Sequence, residues 1–439
     1  MSARFQNSLI EHSLWVATAG AAPDLPILEG DVTCDVAIIG AGILGLSTAL
    51  HIAARGGSVV LLDAATPGWG GGGRNGGQVN PGLKIDPHEL VSRFGPTIGG
   101  ALADFGTVTA DETFETLSKF GIDCDHSQRG WLQLAHAPQA MAGLARRARE
   151  WQALGIAVEI LSAADAQKLS GSAAYAGGIL NPKGGSLHPL KLVRGLAREA
   201  LARGARIFRD SRVGKIEQKQ GRQSLTTAAG RVDAQRVLVS TDAYTDSLLP
   251  GLAHSVLPVS TFQIASEPLS AELARGILPG GQHVSDTHRS LYYFRKDAQG
   301  RFLIGGRGAY GPAGAAGAYD ELKHVATKIY PALADCQWAY RWGGMVAVTE
   351  DHLFHVTEPA PGVLAAIGCN GRGVALSVAL GRRLAEQLIT GSPAGMPFPV
   401  ERIRPVALHG LKKAMLPAIA KTYSVLDHLD KGSVLRRKA

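Results

Sequence analysis

Residues 35–63 read DVAIIGAGILGLSTALHIAARGGSVVLLD, and this order of apolar run, glycine turn and helical spacing decides how the rest of the chain is understood. The run from Val36 to Ile39 is short, apolar and closed by Gly40, as expected of a strand buried in a parallel sheet. Leu46, Ala49, Leu50 and Ala53 then recur at helical spacing, and Val59 to Leu62 form a second apolar run that ends at Asp63. Between strand and helix stands Gly40-Ala41-Gly42-Ile43-Leu44-Gly45, a GxGxxG turn in the strand-turn-helix setting that gives this motif its meaning. Gly40 permits the tight turn, Gly42 lets a pyrophosphate approach the backbone, and Gly45 lets helix and strand pack closely. The helix N-terminus at Ile43 offers unpaired N–H groups and a positive dipole end. Asp63, followed by Ala64, is placed to accept hydrogen bonds from ribose hydroxyls. The unit predicts an adenine dinucleotide site.

Soon after Asp63 the chain reads GWGGGGRNGGQVNPG, residues 68–82. Glycine loses more freedom on folding than any other residue, so such a run is either linker or backbone that passes close to something flat or anionic. A nicotinamide enzyme would normally continue straight into its next helix; a long glycine-rich segment here predicts main chain laid along an extended cofactor, FAD rather than NAD. A second strand-turn-helix lies near the other end: GVLAAIG, CNGRG and VALSVALGRRLAEQLITG, residues 362–391. Its turn, with Gly371, Arg372, Gly373 and then Val374, aims a second positive helix end into the same site.

The chain has 439 residues, more than one core usually supports, and its 45% hydrophobic and 19% charged residues describe an ordinary globular protein. No uninterrupted apolar stretch is long enough to span a membrane, and the N-terminus MSARFQNSLIEHSLW lacks the layout of a signal peptide, so a cytoplasmic location is expected. Cys34, Cys124, Cys336 and Cys369 are scattered without metal-ligand spacing, which predicts free, packed thiols and no metal. The formal charge of +8 is spread along the chain apart from the tail LRRKA, which argues for a basic surface and against nucleic-acid binding.

In these features the sequence resembles the FAD-dependent D-amino-acid-oxidase-like (DAO) superfamily of amine and amino-acid oxidoreductases, in particular its γ-glutamylputrescine-oxidising branch. That branch carries an SGRNGGQ segment beside pyrophosphate and flavin; here it reads Gly72-Gly73-Arg74-Asn75-Gly76-Gly77-Gln78, with glycine in place of serine. The segments GGSLHPLKLVRGLAREALARGA, LYYFRKDAQGRFLIGG and RWGGMVAVTEDH follow in the family's order. The resemblance implies non-covalent FAD. It adds Val213, through backbone contacts to adenine, and Trp342 to the cofactor residues. It also implies an α/β fold: a Rossmann-type FAD domain of the GR2/DAO type (34–90, 145–250, 351–395) and a discontinuous substrate domain on a mostly antiparallel sheet (91–144, 251–350). An N-terminal arm (1–33) and a C-terminal helical appendage (396–439), expected to pack on the body rather than on a membrane, complete the layout.

Two positions bear on the substrate. Amino-acid-oxidising relatives place an arginine after the W-x-G element to clamp the substrate carboxylate; here that place, after Trp342-Gly343-Gly344-Met345, is Val346. The resemblance implies that Arg372 stands where that branch usually has histidine, and it is expected either to stabilise the reduced flavin anion or to bind a carboxylate from a new direction. Tyr292 and Tyr293 occupy successive strand positions and must face opposite ways, with Tyr293 expected to wall the site. The leading expectation is oxidation of an amine to an imine, with O2 or another electron acceptor. The alternatives are an imino- or amino-acid oxidoreductase of pipecolate or sarcosine type using Arg372, and a non-catalytic FAD-binding partner protein.

Overall fold

A computed structural model describes residues 7, 9–309 and 311–436. The first residues of the N-terminal arm and the last three of the basic tail lie outside the described residues. The first apolar run becomes β1 (Gly30–Ile39), whose last four residues are all buried, and the second becomes β2 (Val59–Leu62). They pair in parallel from Val36 with Val59 to Ile39 with Leu62. Two short strands, β3 (Gln78–Val79) and β7 (Gly185–Ser186), form a separate antiparallel pair that carries the end of the glycine segment.

The first sheet is completed by β8 (Arg206–Phe208), β11 (Gly230–Val239), β17 (His355–Ala360), β18 (Val363–Ile367) and β19 (Val400–Glu401). Its order is β19-β17-β18-β11-β1-β2-β8, with the hairpin β9 (Lys215–Lys219) and β10 (Arg222–Thr226) branching from β11. Because β1 lies between β2 and β11, connections leave it in opposite directions, and a crevice opens at the carboxyl ends of these parallel strands.

Of the helices, α1 (Leu14–Thr18) belongs to the arm, and α2 (Ile43–Ala53) is buried at every position. That total burial follows from what covers it: α2 packs against α9 (Gly373–Thr390) so closely that a Cβ on Gly381 would lie 2.4 Å from the Ser47 hydroxyl oxygen. The Ser47 hydroxyl donates to the Val378 carbonyl across the crossing at 2.9 Å. Helix α3 (Pro87–Phe120) breaks at Gly95, with φ of 75°, followed by Pro96. Its Leu90, Leu102 and Phe105 join the core around α2 and α9. Thus part of 91–144, expected in the substrate domain, packs instead on the nucleotide half, where a kinked apolar face finds its partner.

The second sheet runs β16-β12-β15-β14-β13-β4-β6-β5. Here β16 is Trp338–Val348, β12 Leu257–Pro268, β15 Arg301–Arg307, β14 Tyr293–Lys296 and β13 His283–Asp286. The others are β4 (Trp131–Leu134), β6 (Gly178–Asn181) and β5 (Glu159–Leu161). All its pairings are antiparallel except β13 with β4. Strands β5 and β6, from the span expected in the nucleotide domain, belong to this sheet, and β19, from the expected appendage, belongs to the first. The helices between these strands are α4 (Met141–Ala153), α5 (Ala163–Ser170), α6 (Pro189–Ala202) and α7 (Ala271–Gly276). Helix α8 (Pro312–Ile329) covers the far face, where Leu322 and Val325 join Phe262, Phe294 and Phe302 in one cluster.

Helix α10 (His409–Leu429) is fastened through its last turn. The fully buried Asp427 carboxylate accepts from the backbone N–H groups of Arg289 and Ser290, both at 2.9 Å, while Asp430 accepts from the Arg289 guanidinium at 2.6 Å. No described helix is long and apolar enough to cross a membrane.

Candidate active site

Between the two sheets lies a cavity of about 1100 Å³, walled at one end by Asp63 and Val213 and at the other by Tyr293 and Arg372. At its centre the start of α2 faces it. Gly42 is the N-cap and makes no side-chain capping bond, so the first-turn N–H groups look into the cavity. Gly40, with φ of 105°, makes the turn, and a Cβ on Gly45 would sit 2.1 Å from the Gly40 carbonyl oxygen. Across from them, a Cβ at Gly72 would be 3.2 Å from the Ile43 nitrogen. Both glycine stretches therefore let bare main chain approach the same point, which is what a pyrophosphate needs.

Asp63 is oriented by main chain. One carboxylate oxygen accepts from the Ala41 N–H at 2.6 Å and the other from Ala65 at 2.8 Å. Burial pushes its pKa up, against those hydrogen bonds. Each oxygen keeps a lone pair for a further donor. Ala64 and Val213 wall the same end, Val213 from the loop after β8 rather than from a strand.

The segment 68–78 forms a short 3-10 turn, Gly71–Gly73, and is then pinned by long-range bonds. Arg74, almost fully buried, donates to the carbonyls of Trp69 at 2.5 Å and Gly343 at 3.3 Å and lies 4.6 Å over the Trp69 ring. The Asn75 amide donates to Gly72 O at 2.8 Å, and its oxygen accepts from Gly77 N–H at 2.8 Å. From the arm, the Trp15 indole donates to Asn75 O at 2.9 Å. Arg74, Asn75, Gly76 and Gln78 face the cavity.

Four of the expected cofactor residues stand behind the wall instead: Gly45, Gly73, Gly77 and Trp342. Gly73 and Gly77 allow main-chain crossings, since their Cβ atoms would come within 2.1 Å of Gly68 O and 2.0 Å of Leu187 O. Trp342, wholly buried, donates its indole N–H to the Arg74 carbonyl at 2.9 Å and packs edge-on against Trp15. It supports the glycine segment without lining the cavity.

The second glycine turn closes the opposite end. Gly371, Arg372, Gly373 and Val374 line the cavity, and α9 begins there without a side-chain cap on its N–H groups. Two residues that sequence reading missed set this turn. Asp242, from the loop after β11, accepts from Gly368 and Cys369 N–H at 2.9 and 3.2 Å. Asn370, at φ of 49°, donates to the Gly368 and Leu353 carbonyls and accepts from Thr349 N–H. The Arg372 guanidinium lies 4.4 Å over the Trp131 ring, and burial, then Arg147, brings its pKa down to about 9.

Tyr292 and Tyr293 do point opposite ways. Tyr292 is buried on the α8 side and donates to Glu321 at 3.0 Å; Tyr293 faces the cavity, 2.8 Å from the Thr261 hydroxyl. Burial raises the Tyr293 pKa to about 12, so its phenol stays neutral. Val346 also lines the cavity, confirming that no arginine projects from that position of β16. Lys84 and Arg307, also on the wall, were not singled out in the sequence because no motif surrounds them.

The donor set fits FAD: two helix starts free of side-chain caps, two glycine-bare crossings, and an orienting acid at the nucleotide end. When bound there, FAD supplies the electron-pair acceptor that the side chains lack.

Comparison with known proteins agrees with this geometry. The family model described as DAO, FAD dependent oxidoreductase, matches residues 35–387. The chain is 34% identical over 381 residues to "Probable oxidoreductase OrdL" of Rhizobium meliloti (strain 1021), covering 85% of this chain and 87% of the relative. It is 31% identical over 388 residues to "Gamma-glutamylputrescine oxidoreductase" of Escherichia coli (strain K12), covering 87% and 90%. Among solved structures, glycine oxidase from Geobacillus kaustophilus superposes with a TM-score of 0.73 at 22% identity, covering 84% of this chain and 99% of that one.

Proposed function

The chain belongs to the DAO family of FAD dependent oxidoreductases and is an oxidoreductase of the amine and amino-acid oxidase type; from that premise we propose that it oxidises the C–N bond of a carboxylate-bearing amine to the imine, which water then hydrolyses. The class includes γ-glutamylated amines of the γ-glutamylputrescine kind and imino acids. The observation that carries this reading is Arg372: it lines the cavity, stacks on Trp131 and forms no ion pair among the described residues. A half-buried guanidinium without a counter-charge is poorly compensated until an anion arrives. Val346 removes the clamp used by amino-acid-oxidising relatives, and Arg372 offers one from the other side.

The residues divide the work. Arg372 holds the carboxylate and so fixes the substrate's position and orientation. Tyr293, neutral and hydrogen-bonded to Thr261, shapes the opposite wall. The uncapped start of α9 favours negative charge at its edge of the cavity, which stabilises the electron-rich state of the site. The four cysteines are free thiols, which suits the cytoplasm.

Anaerobic bleaching of the bound flavin over a panel of amines tests the reaction, and oxygen consumption tests whether O2 is the acceptor. For the role of Arg372, Arg372→Gln should raise KM about 10-fold or more for carboxylated amines and leave uncarboxylated amines unchanged. An equal loss for both kinds would remove the carboxylate from its side chain.

A further inference from the structure

Three cations face the cavity near Tyr293: Lys84 from the loop after β3, Arg307 from the end of β15, and Arg372 from the start of α9. They come from three distant parts of the chain, yet Lys84 feels the charges of both Arg372 and Arg307. None of the three forms a salt bridge among the described residues.

The nearby acids are already engaged. Asp86, which acts weakly on Lys84 and Arg372, is gripped by Arg147 through both oxygens, at 2.6 and 3.2 Å. The four acids on the cavity wall are held elsewhere. Asp63 is bound by main chain, Asp242 by the glycine turn, Asp210 by Arg209 and Asp246 by Arg212. Among the described residues, the fold thus gathers positive charge at one end of the cavity and leaves no unengaged carboxylate on the wall to match it.

One carboxylate on Arg372 would leave two cations unmatched. We propose that the substrate carries at least two carboxylates, one held by Arg372 and the second by Lys84 and Arg307, so that this end of the cavity is a dicarboxylate-recognition site. The proposal rests on the amine-oxidation reading for the reaction and narrows its substrates to amines with a second carboxylate, which γ-glutamylputrescine itself lacks; the anion site does not rest on that reading. Burial, then Arg372 and Arg307, brings the Lys84 pKa down to about 7, so a dianion that restores full protonation would gain from the same charges. Arg and Lys divide the task naturally. The guanidinium forks suit bidentate contact, and the ammonium acts as a point charge.

The test uses the FAD-loaded enzyme. Glutarate, which has two carboxylates and no amine, and its monomethyl ester are titrated by their perturbation of the flavin spectrum. Glutarate should bind at least about 30-fold tighter than the ester, and Lys84→Met or Arg307→Met should each remove about 10-fold of glutarate affinity with little effect on the ester. Equal affinity for the two ligands in the unmodified enzyme overturns the site whatever the variants do. Iminodiacetate, sarcosine and diethylamine are then compared as anaerobic reductants. If none bleaches the flavin while glutarate retains its lysine-dependent advantage, the anion site stands and the amine reading falls. If sarcosine and diethylamine reduce the flavin as well as iminodiacetate does and glutarate shows no advantage, amine oxidation stands, while this site and the carboxylate role of Arg372 fall.

Discussion

Gly45 shows how a single hydrogen atom sets the site. Its missing side chain lets α2 come so close to the turn that a methyl would meet the Gly40 carbonyl at 2.1 Å and the Ser240 hydroxyl at 2.8 Å. Both obstacles belong to the end of the parallel strands, so relief requires α2 to shift away from β1. Gly45→Ala should cost about 3 kcal/mol of stability, the upper range for overpacking, and lower the flavin-to-protein absorbance ratio of the purified protein. A variant with full flavin content and unchanged Tm would remove that contact from the account. The role of Gly45 was legible in the sequence because a fixed spacing announces it. Trp342 was legible as important but not in its role, because a local pattern does not reveal that its indole meets the Arg74 carbonyl rather than the cavity. Lys84 was invisible, since its meaning arises only when β15 and α9 bring their arginines beside it.

At the scale of elements, the second glycine turn depends on one side chain. Asn370 ties together Gly368, Thr349 and Leu353 and sits in the left-handed region, where asparagine is tolerated far better than most residues. Asn370→Ala leaves several buried backbone groups short of partners and strains the turn, at a cost of about 3 kcal/mol. The loss should appear as a lower Tm, with a larger amplitude for the FAD-free protein because bound cofactor would hold the turn. Strand-turn-helix units were readable here because their apolar runs are continuous. Strands β5 and β6 were not: β5 has a mostly exposed residue pattern, and β6 is identified by its pairing with β4 across a long sequence gap. The kinked α3 was placed with the wrong layer for the same reason, since an apolar helix face does not name its partner.

For the molecule as a whole, buried histidines set the acid limit. Burial, then Arg55, holds the His51 pKa down to about 4 from 6.5, and its Nε2 lacks a hydrogen-bond partner beside the Phe120 ring. A folded-state pKa below the unfolded one gives stability that is complete above 6.5 and is lost as pH falls through 4. His51→Leu should therefore gain roughly 2 kcal/mol at pH 5 relative to its effect at pH 8, seen as a shallower fall of Tm with acid. His288 works in the other sense. Burial lowers its pKa, but Asp286, with Asp427 and Asp430, outweighs burial and raises it above 6.5. Its contribution is complete below 6.5 and is lost as pH rises through the raised value. Because His288 also contacts Ser433 at 3.0 Å, limited proteolysis beyond α10 should quicken as pH rises above 6.5 through that raised value, and His288→Gln should abolish that pH dependence. Sequence disclosed the two-sheet plan through its order of motifs, whereas this clasp joins residues too far apart in the chain to be read together.

The crowding of indoles around the cavity has an optical consequence. Trp69 lies on its wall, Trp131 sits beneath Arg372, and Trp15 and Trp342 meet edge to edge behind the glycine segment. Ultraviolet excitation of these rings would hand its energy to an isoalloxazine in the cavity rather than emit it. Loading and unloading of the cofactor should then be visible as dimming and brightening of intrinsic fluorescence, with no dye attached.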